Sequence, residues 1–83
     1  MIYNLEWKEH ALHNLEKLEN SISRRIIKKV EELADNPFSK DIKKLKARNE
    51  FRLRVGDYRV FFSIEQNTIQ ILKVGHRKNI YKY

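Results

Sequence analysis

The hydrophobic period of this chain changes once, and that change limits the folds open to it. Between residues 8 and 36 apolar residues recur every three or four positions. Ala11, Leu12, Leu15 and Leu18 form one stripe, and Ile22, Ile26, Ile27, Val30, Leu33 and Ala34 form a second. Asn20-Ser21-Ile22-Ser23 reads as the break between two helices and offers N-cap candidates for the second. Asn36-Pro37 ends that helix, because a residue before proline is pushed out of the helical region. From Glu50 onward the period falls to two. Phe51, Leu53 and Val55 alternate with Arg52 and Arg54, Gly56-Asp57 turns the chain, and Val60, Phe62 and Ile64 resume the pattern. Gln66-Asn67 makes a second turn, and Thr68 to Val74 forms a last strand ending at Gly75. Ile2 to Trp7 is a short opening strand, and Phe38 to Asn49 is a lysine-rich connection anchored by Ile42 and Leu45. The expected fold is α+β in the order β-α-α-β-β-β: an N-terminal strand, a helical hairpin and a three-stranded antiparallel meander. The helices pack on one face of the sheet. At 83 residues this is one domain, 1–83.

Charge divides at nearly the same place. Residues 1–36 hold six basic and seven acidic side chains, whereas residues 37–83 hold twelve basic and four acidic. The whole excess of +7 therefore belongs to the second half, which is built to meet a polyanion or an acidic protein. The second helix is basic first (Arg24, Arg25, Lys28, Lys29) and acidic last (Glu31, Glu32, Asp35), against the preference of the helix dipole. Packing of its apolar stripe accounts for this, or else the basic cluster touches rRNA or an acidic partner. The chain has no cysteine, no apolar run long enough to span a membrane and no secretory leader pattern at its start. The expectation is a soluble cytoplasmic protein.

Alternation puts Arg52 and Arg54 on one face, opposite Phe51, Leu53 and Val55. The core faces of adjacent strands must coincide, so Arg59 joins them on the exposed side, with Lys73 as a fourth cation. Arg77, Lys78 and Tyr81 follow Gly75, where the chain can bend back over this face. Like charges on neighbouring strands repel, so such a cluster implies an anion to bind, although solvated strand residues or phosphate binding without catalysis remain open. Arginine grips phosphate with a planar fork and stays charged at any working pH. No phosphate-binding glycine loop, nucleophile elbow or paired-carboxylate signature competes. His10 and His13 lack matching ligands for a metal, and no cofactor is implied. The simplest fitting reaction is metal-free RNA cleavage, in which the substrate's own 2′-hydroxyl is the nucleophile and fixed guanidiniums stabilise the growing phosphate charge. It also needs an acid and a base. His76 has the ordinary chemistry for proton transfer, and Tyr81 is a second candidate, or else a base-stacking or packing residue.

Two segments carry a family resemblance. The run from Phe51 to Phe62 (Phe51-Arg52-Leu53-Arg54-Val55-Gly56-Asp57-Tyr58-Arg59-Val60-Phe61-Phe62) resembles the central hairpin of RelE/ParE-superfamily toxins. Val74-Gly75-His76-Arg77-Lys78-Asn79-Ile80-Tyr81 is similar to their C-terminal motif, and the element order matches over nearly the whole chain. The resemblance implies a toxin of a type II toxin–antitoxin system: a ribosome-dependent endoribonuclease that cuts mRNA in the A site and leaves a 2′,3′-cyclic phosphate and a 5′-hydroxyl. By that resemblance the catalytic residues are Arg52, Arg54, Arg59, Arg77 and Tyr81, with His76 a further candidate. Arg59 and Arg77 would stabilise the phosphate, and Tyr81 would orient or deprotonate the 2′-hydroxyl or stack on the substrate. Well-known members carry lysines where Arg52 and Arg54 stand. Contacts to RNA and ribosome are expected from Lys43, Lys44, Lys46, Arg48, Lys73, Lys78 and Lys82. The implied partners are a 70S-type ribosome, mRNA and a RelB-like antitoxin that covers the basic face or displaces the tail, with DNA met only through the antitoxin complex and no membrane. The alternatives are a ParE-like inhibitor of DNA gyrase and an attenuated regulatory protein that binds without cutting.

Overall fold

Strand alternation needs a cover for its apolar face, and the two helices supply it. The computed structural model describes residues 2–45 and 49–80. The elements are β1 (Asn4–Trp7), α1 (Glu9–Glu16), α2 (Asn20–Leu33), β2 (Ile42–Lys44), β3 (Glu50–Val55), β4 (Tyr58–Glu65) and β5 (Thr68–His76). They build one five-stranded sheet in the order β1-β5-β4-β3-β2, antiparallel throughout except that β1 runs parallel to β5. The expected α+β architecture is present, with two additions. The opening strand joins the sheet beside the last one, and the lysine-rich connection contains β2, too short and too polar to alternate visibly.

Register sorts the strand residues into two faces. Leu53, Val55, Val60, Phe62, Ile69, Ile71 and Val74 are buried beneath the helices, against Ala11 and Leu15 of α1 and Ile26, Val30 and Leu33 of α2. Burying Phe62, Ile26, Ile69, Ile71, Val30 and Val60 almost completely contributes roughly 1.5–3 kcal/mol per large side chain. Phe51 stacks on Phe62 at 5.4 Å between ring centroids. Leu12 and Ile27, expected in the buried stripes, are instead exposed. Each follows a buried neighbour (Ala11, Ile26), and a helix turns about 100° per residue, so one narrow stripe cannot hold both.

The helical hairpin also turns earlier than its sequence implies. α2 starts at Asn20 with Glu19 as its N-cap, and no side chain caps it. The Asn20–Ser23 segment is therefore helix, and the break falls before it. Ser23 Oγ instead donates to the Leu15 carbonyl at 3.0 Å, tying the second helix to the first. At the other end the Ala34 carbonyl accepts the backbone N–H groups of Ile2 and Tyr3, which fixes the approach to β1.

β5 departs from simple alternation. Phe61 pairs with Lys73 but Phe62 pairs with Ile71, so Leu72 is an extra residue in β5 and the strand bulges there. Ile69 and Ile71 point into the core before the bulge and Val74 after it. Strict alternation from Ile69 would have carried Lys73 inside. The strand also continues through Gly75 to His76, beyond the expected end at Val74. β1 covers only the first part of β5, and past it the Val74 N–H is satisfied by Asn14 Oδ1 from α1 at 2.9 Å.

That contact yields a prediction. Asn14→Ala leaves a partly buried backbone donor without its partner and is expected to lower stability by about 1–3 kcal/mol. Urea unfolding measures this, and a loss below about 0.5 kcal/mol would show that Asn14 does not secure the strand.

Candidate phosphate-binding site

The face away from the helices is a map of charge in rows. Pairing across strands places Lys73, Phe61, Arg52 and Lys43 in one row, and Gly75, Arg59 and Arg54 in the next, toward the Gly56-Asp57 turn. The row on the other side is Glu6, Gln70, Ser63 and Glu50, so the cations end abruptly. Arg54 and Arg59 are direct cross-strand partners, with Cβ atoms about 5 Å apart by ordinary sheet geometry. Two like charges at that spacing are held by the surrounding structure, and their partners show how.

Arg54 Nη2 donates to Asp41 Oδ1 at 3.0 Å, while the Arg54 backbone N–H donates to the Asp41 carbonyl at 2.9 Å. Arg59 Nη1 donates to the carbonyls of Gly56 and Tyr58, both at 2.9 Å, and its Nε is buried with no hydrogen-bond partner among the described residues. Arg77 approaches Asp57 Oδ1 with its Nε at 3.7 Å, and its backbone N–H donates to the Asp57 carbonyl at 2.8 Å. Arginines of β3, β4 and the tail thus share one end of the sheet, Arg59 and Arg77 held at the Gly56-Asp57 turn and Arg54, the cross-strand partner of Arg59, held by Asp41.

The tail is held down by packing. Ile80 is buried to 3% exposure on this charged side, because it sits over Gly75. A Cβ on Gly75 would meet Ile80 Cβ and Cδ1 at 3.3 Å, so a side chain there would push the tail outward. Lys73 Nζ reaches the Ile80 carbonyl at 3.4 Å and lies 4.7 Å from the centroid of the Phe61 ring. Phe61, though on the open side, is itself only 8% exposed.

Not every candidate joins this cluster. His76 pairs with Tyr58 and shares its side of the sheet, which is the helix side, and meets that ring edge-on at 5.2 Å. Its Nδ1 accepts the Lys78 N–H at 3.2 Å. With Tyr58, His10 and Asn14 from the helix side and Lys73, Gly75 and Ile80 from the charged side, it lines a cavity of about 350 Å³ along the part of β5 that β1 does not cover. Lys43 lies in the cationic row, while Lys44 pairs with Phe51 and takes the opposite side at the sheet edge. Lys78 is exposed in the turn after β5. Tyr81, Lys46, Arg48 and Lys82 lie outside the described residues.

One residue escaped the strand-based reading. Arg25 of α2 lays its guanidinium against Gly56, where a Cβ would meet Nη1 and Nη2 at 3.3 Å. Gly56 has φ +60°, a conformation that L side chains rarely adopt, so the backbone of this turn calls for glycine, and a side chain there would also displace the Arg25 guanidinium. The basic first half of α2 was the available signal, since Arg25 adjoins Ile26 at the buried stripe and can reach past it to the sheet end.

Comparison with known proteins agrees with this architecture. The family model described as "ParE toxin of type II toxin-antitoxin system, parDE" matches residues 5–81. Toxin RelE3 of Methanocaldococcus jannaschii is 37% identical over 75 residues, covering 84% of this chain and 85% of that protein. The archaeal RelE–RelB complex from Pyrococcus horikoshii contains a chain that superposes with a TM-score of 0.83 at 28% identity, covering 95% of this chain and 99% of that one. A RelB–RelE antitoxin–toxin complex from Methanococcus jannaschii gives 0.79 at 32% identity, with coverage of 94% and 96%.

The packing of Ile80 on Gly75 makes a second prediction. Gly75→Val is expected to lift the tail while sparing the core, so limited proteolysis after Arg77 and Lys78 should accelerate at least tenfold at unchanged far-UV dichroism. Equal cleavage rates would mean that this contact does not hold the tail.

Proposed function

Because this chain belongs to the RelE/ParE superfamily of type II toxin–antitoxin toxins, we propose that it is a RelE-like endoribonuclease that cuts mRNA in the ribosomal A site. The observation that carries the reading is the gathering of Arg54, Arg59 and Arg77 from two strands and the tail at one end of the sheet. The complexes of the two archaeal relatives with RelB support a RelB-like antitoxin as partner, one whose acidic or amphipathic segment covers the basic rows. Lys43, Lys73 and Lys78 then guide the RNA backbone, as do Lys46, Arg48 and Lys82, while Lys44 meets it from the sheet edge.

In this mechanism the RNA 2′-hydroxyl attacks the adjacent phosphorus, the 5′-oxygen leaves, and a 2′,3′-cyclic phosphate and a 5′-hydroxyl result. Charge grows on the non-bridging oxygens as the fifth bond forms. Guanidiniums already in position stabilise it without reorganisation. Arg59 serves best here, since two backbone carbonyls already hold its Nη1 and leave Nη2 to donate. Arg77 provides a second set of donors from the tail, and Arg52 and Arg54 hold the flanking phosphates. Tyr81, which follows Ile80 in the chain, is assigned to orient or deprotonate the 2′-hydroxyl or to stack on the base. His76 receives no part in the transfer, because it faces the helices.

The competing reading, favoured by the description of the matching family model, is a ParE-like block of DNA gyrase by binding alone. Translating ribosomes and a gyrase supercoiling reaction, each incubated with the protein, separate the two. Cleaved A-site codons and unaffected supercoiling are expected, and intact mRNA beside blocked supercoiling would transfer the assignment to gyrase. Arg59→Ala and Arg77→Ala are each expected to slow cleavage by at least about a hundredfold and to abolish growth arrest, with the fold retained. Undiminished cleavage in either variant would remove that residue from the site.

A further inference from the structure

Two of the arginines in this cluster carry a carboxylate in the free protein, and the ties follow one pattern. In each pair the aspartate's backbone carbonyl accepts the arginine's backbone N–H, and the aspartate's side chain lies against the same arginine's guanidinium. For Asp41 and Arg54 the distances are 2.9 Å and 3.0 Å; for Asp57 and Arg77 they are 2.8 Å and 3.7 Å. The backbone bonds fix each aspartate beside its arginine whatever the side chains do. Of the side-chain pairs, Arg77 and Asp57 are both exposed, and Arg54 is exposed while Asp41 is partly so; water and salt therefore reach and screen both pairs. Arg59 differs: its Nη1 is bound by neutral carbonyls, which do not compete for its charge.

We propose that Asp41 and Asp57 are exchangeable counter-ligands, occupying the guanidiniums of Arg54 and Arg77 until the phosphates of a single-stranded RNA displace them. Resting on the RNA-cleaving reading, this adds a regulation of the same site. The carboxylates offset the repulsion between Arg54, its cross-strand partner Arg59 and the nearby Arg77 while no substrate is bound. On binding, a phosphate takes the fork of each arginine, and the freed carboxylate turns to solvent beside it. Two nearby negative charges then weaken the hold on RNA, which favours release after the cut. The aspartates are thus determinants of affinity rather than of chemistry.

The test uses the full chain and a single-stranded RNA with 2′-O-methyl groups, which the protein can bind but not cut. Its affinity is measured across a salt series for wild type, Asp41→Asn, Asp57→Asn and a control, Glu16→Gln on α1. The control makes the same change in net charge on a different element. Each asparagine retains the backbone tie and nearly the same shape, so the fold is expected to persist. Each is expected to tighten binding severalfold at low salt. The dependence of log affinity on log salt should keep the wild-type slope, because the same phosphates contact Arg54 and Arg77 in both proteins once the carboxylates are displaced. Glu16→Gln should change neither the affinity nor the slope to a comparable degree. A slope steeper by about 0.7 in an aspartate variant, the value for one additional phosphate contact to a single strand, would mean that the carboxylate is not displaced in the wild type and would overturn the exchange. Unchanged or weaker binding would overturn it too, and a gain equal to that of Glu16→Gln would reduce it to net charge. Wild-type protein that binds no free RNA at any salt would also overturn the exchange, while the ribosome assay decides the nuclease reading separately.

Discussion

The tail meets the arginine face because β5 carries one residue more than its partner between Phe61 and Phe62. Leu72 absorbs the extra position, and every side chain after it changes sides relative to simple alternation. Val74 then closes the core next to Val60, while Lys73 and Gly75 turn outward beside Phe61 and Arg59. Without that shift a lysine would face the apolar interior, an expensive burial, and Val74 would be exposed. The bulge therefore serves the core and the charged side at once. It also hands the chain to the Asp57 carbonyl at Arg77 and to the bare surface of Gly75 at Ile80, where the tail is fixed.

Much of this was legible from residues alone, for a physical reason. The alternation of Phe51-Leu53-Val55 with Arg52 and Arg54 has a single consistent solution once one face must be buried, so the placement of Arg59 followed from Val60 and Phe62. What escaped were features that depend on partners distant in sequence. β2 forms because β3 lies beside it, as Lys43 opposite Arg52 reveals nothing in isolation. The bulge at Leu72 is marked only by Lys73, which falls where alternation from Ile69 and Ile71 would bury it. His76 looked like a proton-transfer group because of its side chain, yet its register with Tyr58 turns it toward the helices. Leu12 and Ile27 are apolar at helical spacing but exposed, since a two-helix cover buries only a narrow stripe of each helix.

Electrostatics and packing divide the open face between them. The row of Glu6, Gln70, Ser63 and Glu50 borders the row of Lys73, Phe61, Arg52 and Lys43 at a distance of two residues along β3 and β4, about 7 Å, and three along the bulged β5. A polyanion crossing the sheet meets attraction on one side of this border and repulsion on the other. Phe61 and Ile80 break the cationic field with apolar surface, and Lys73 spans both by lying along one and reaching the carbonyl of the other. Long basic side chains do this well, covering apolar atoms with their stems while the charged end stays polar.

The arginines at the turn fall into two kinds, and the difference bears on what a phosphate-cleaving site requires. A guanidinium that stabilises a transition state must already be in place, because any energy spent on reorienting it is lost from catalysis. Arg59 meets that condition: backbone carbonyls on either side of Asp57 fix its Nη1, its Nε is buried, and the turn that supplies one carbonyl is locked by a glycine at positive φ. A guanidinium that captures substrate has the opposite requirement, since it must exchange partners quickly and reversibly. On the exchange proposed above, Arg54 and Arg77, each paired with a carboxylate but anchored through the backbone, meet that one, and Arg77 joins Arg59 at the phosphate once Asp57 has been displaced. A fixed donor and two ion-paired ones thus lie at the same end of the sheet, and lysine would serve the fixed position poorly, because its compact ammonium on a flexible stem lacks the rigid geometry of a guanidinium.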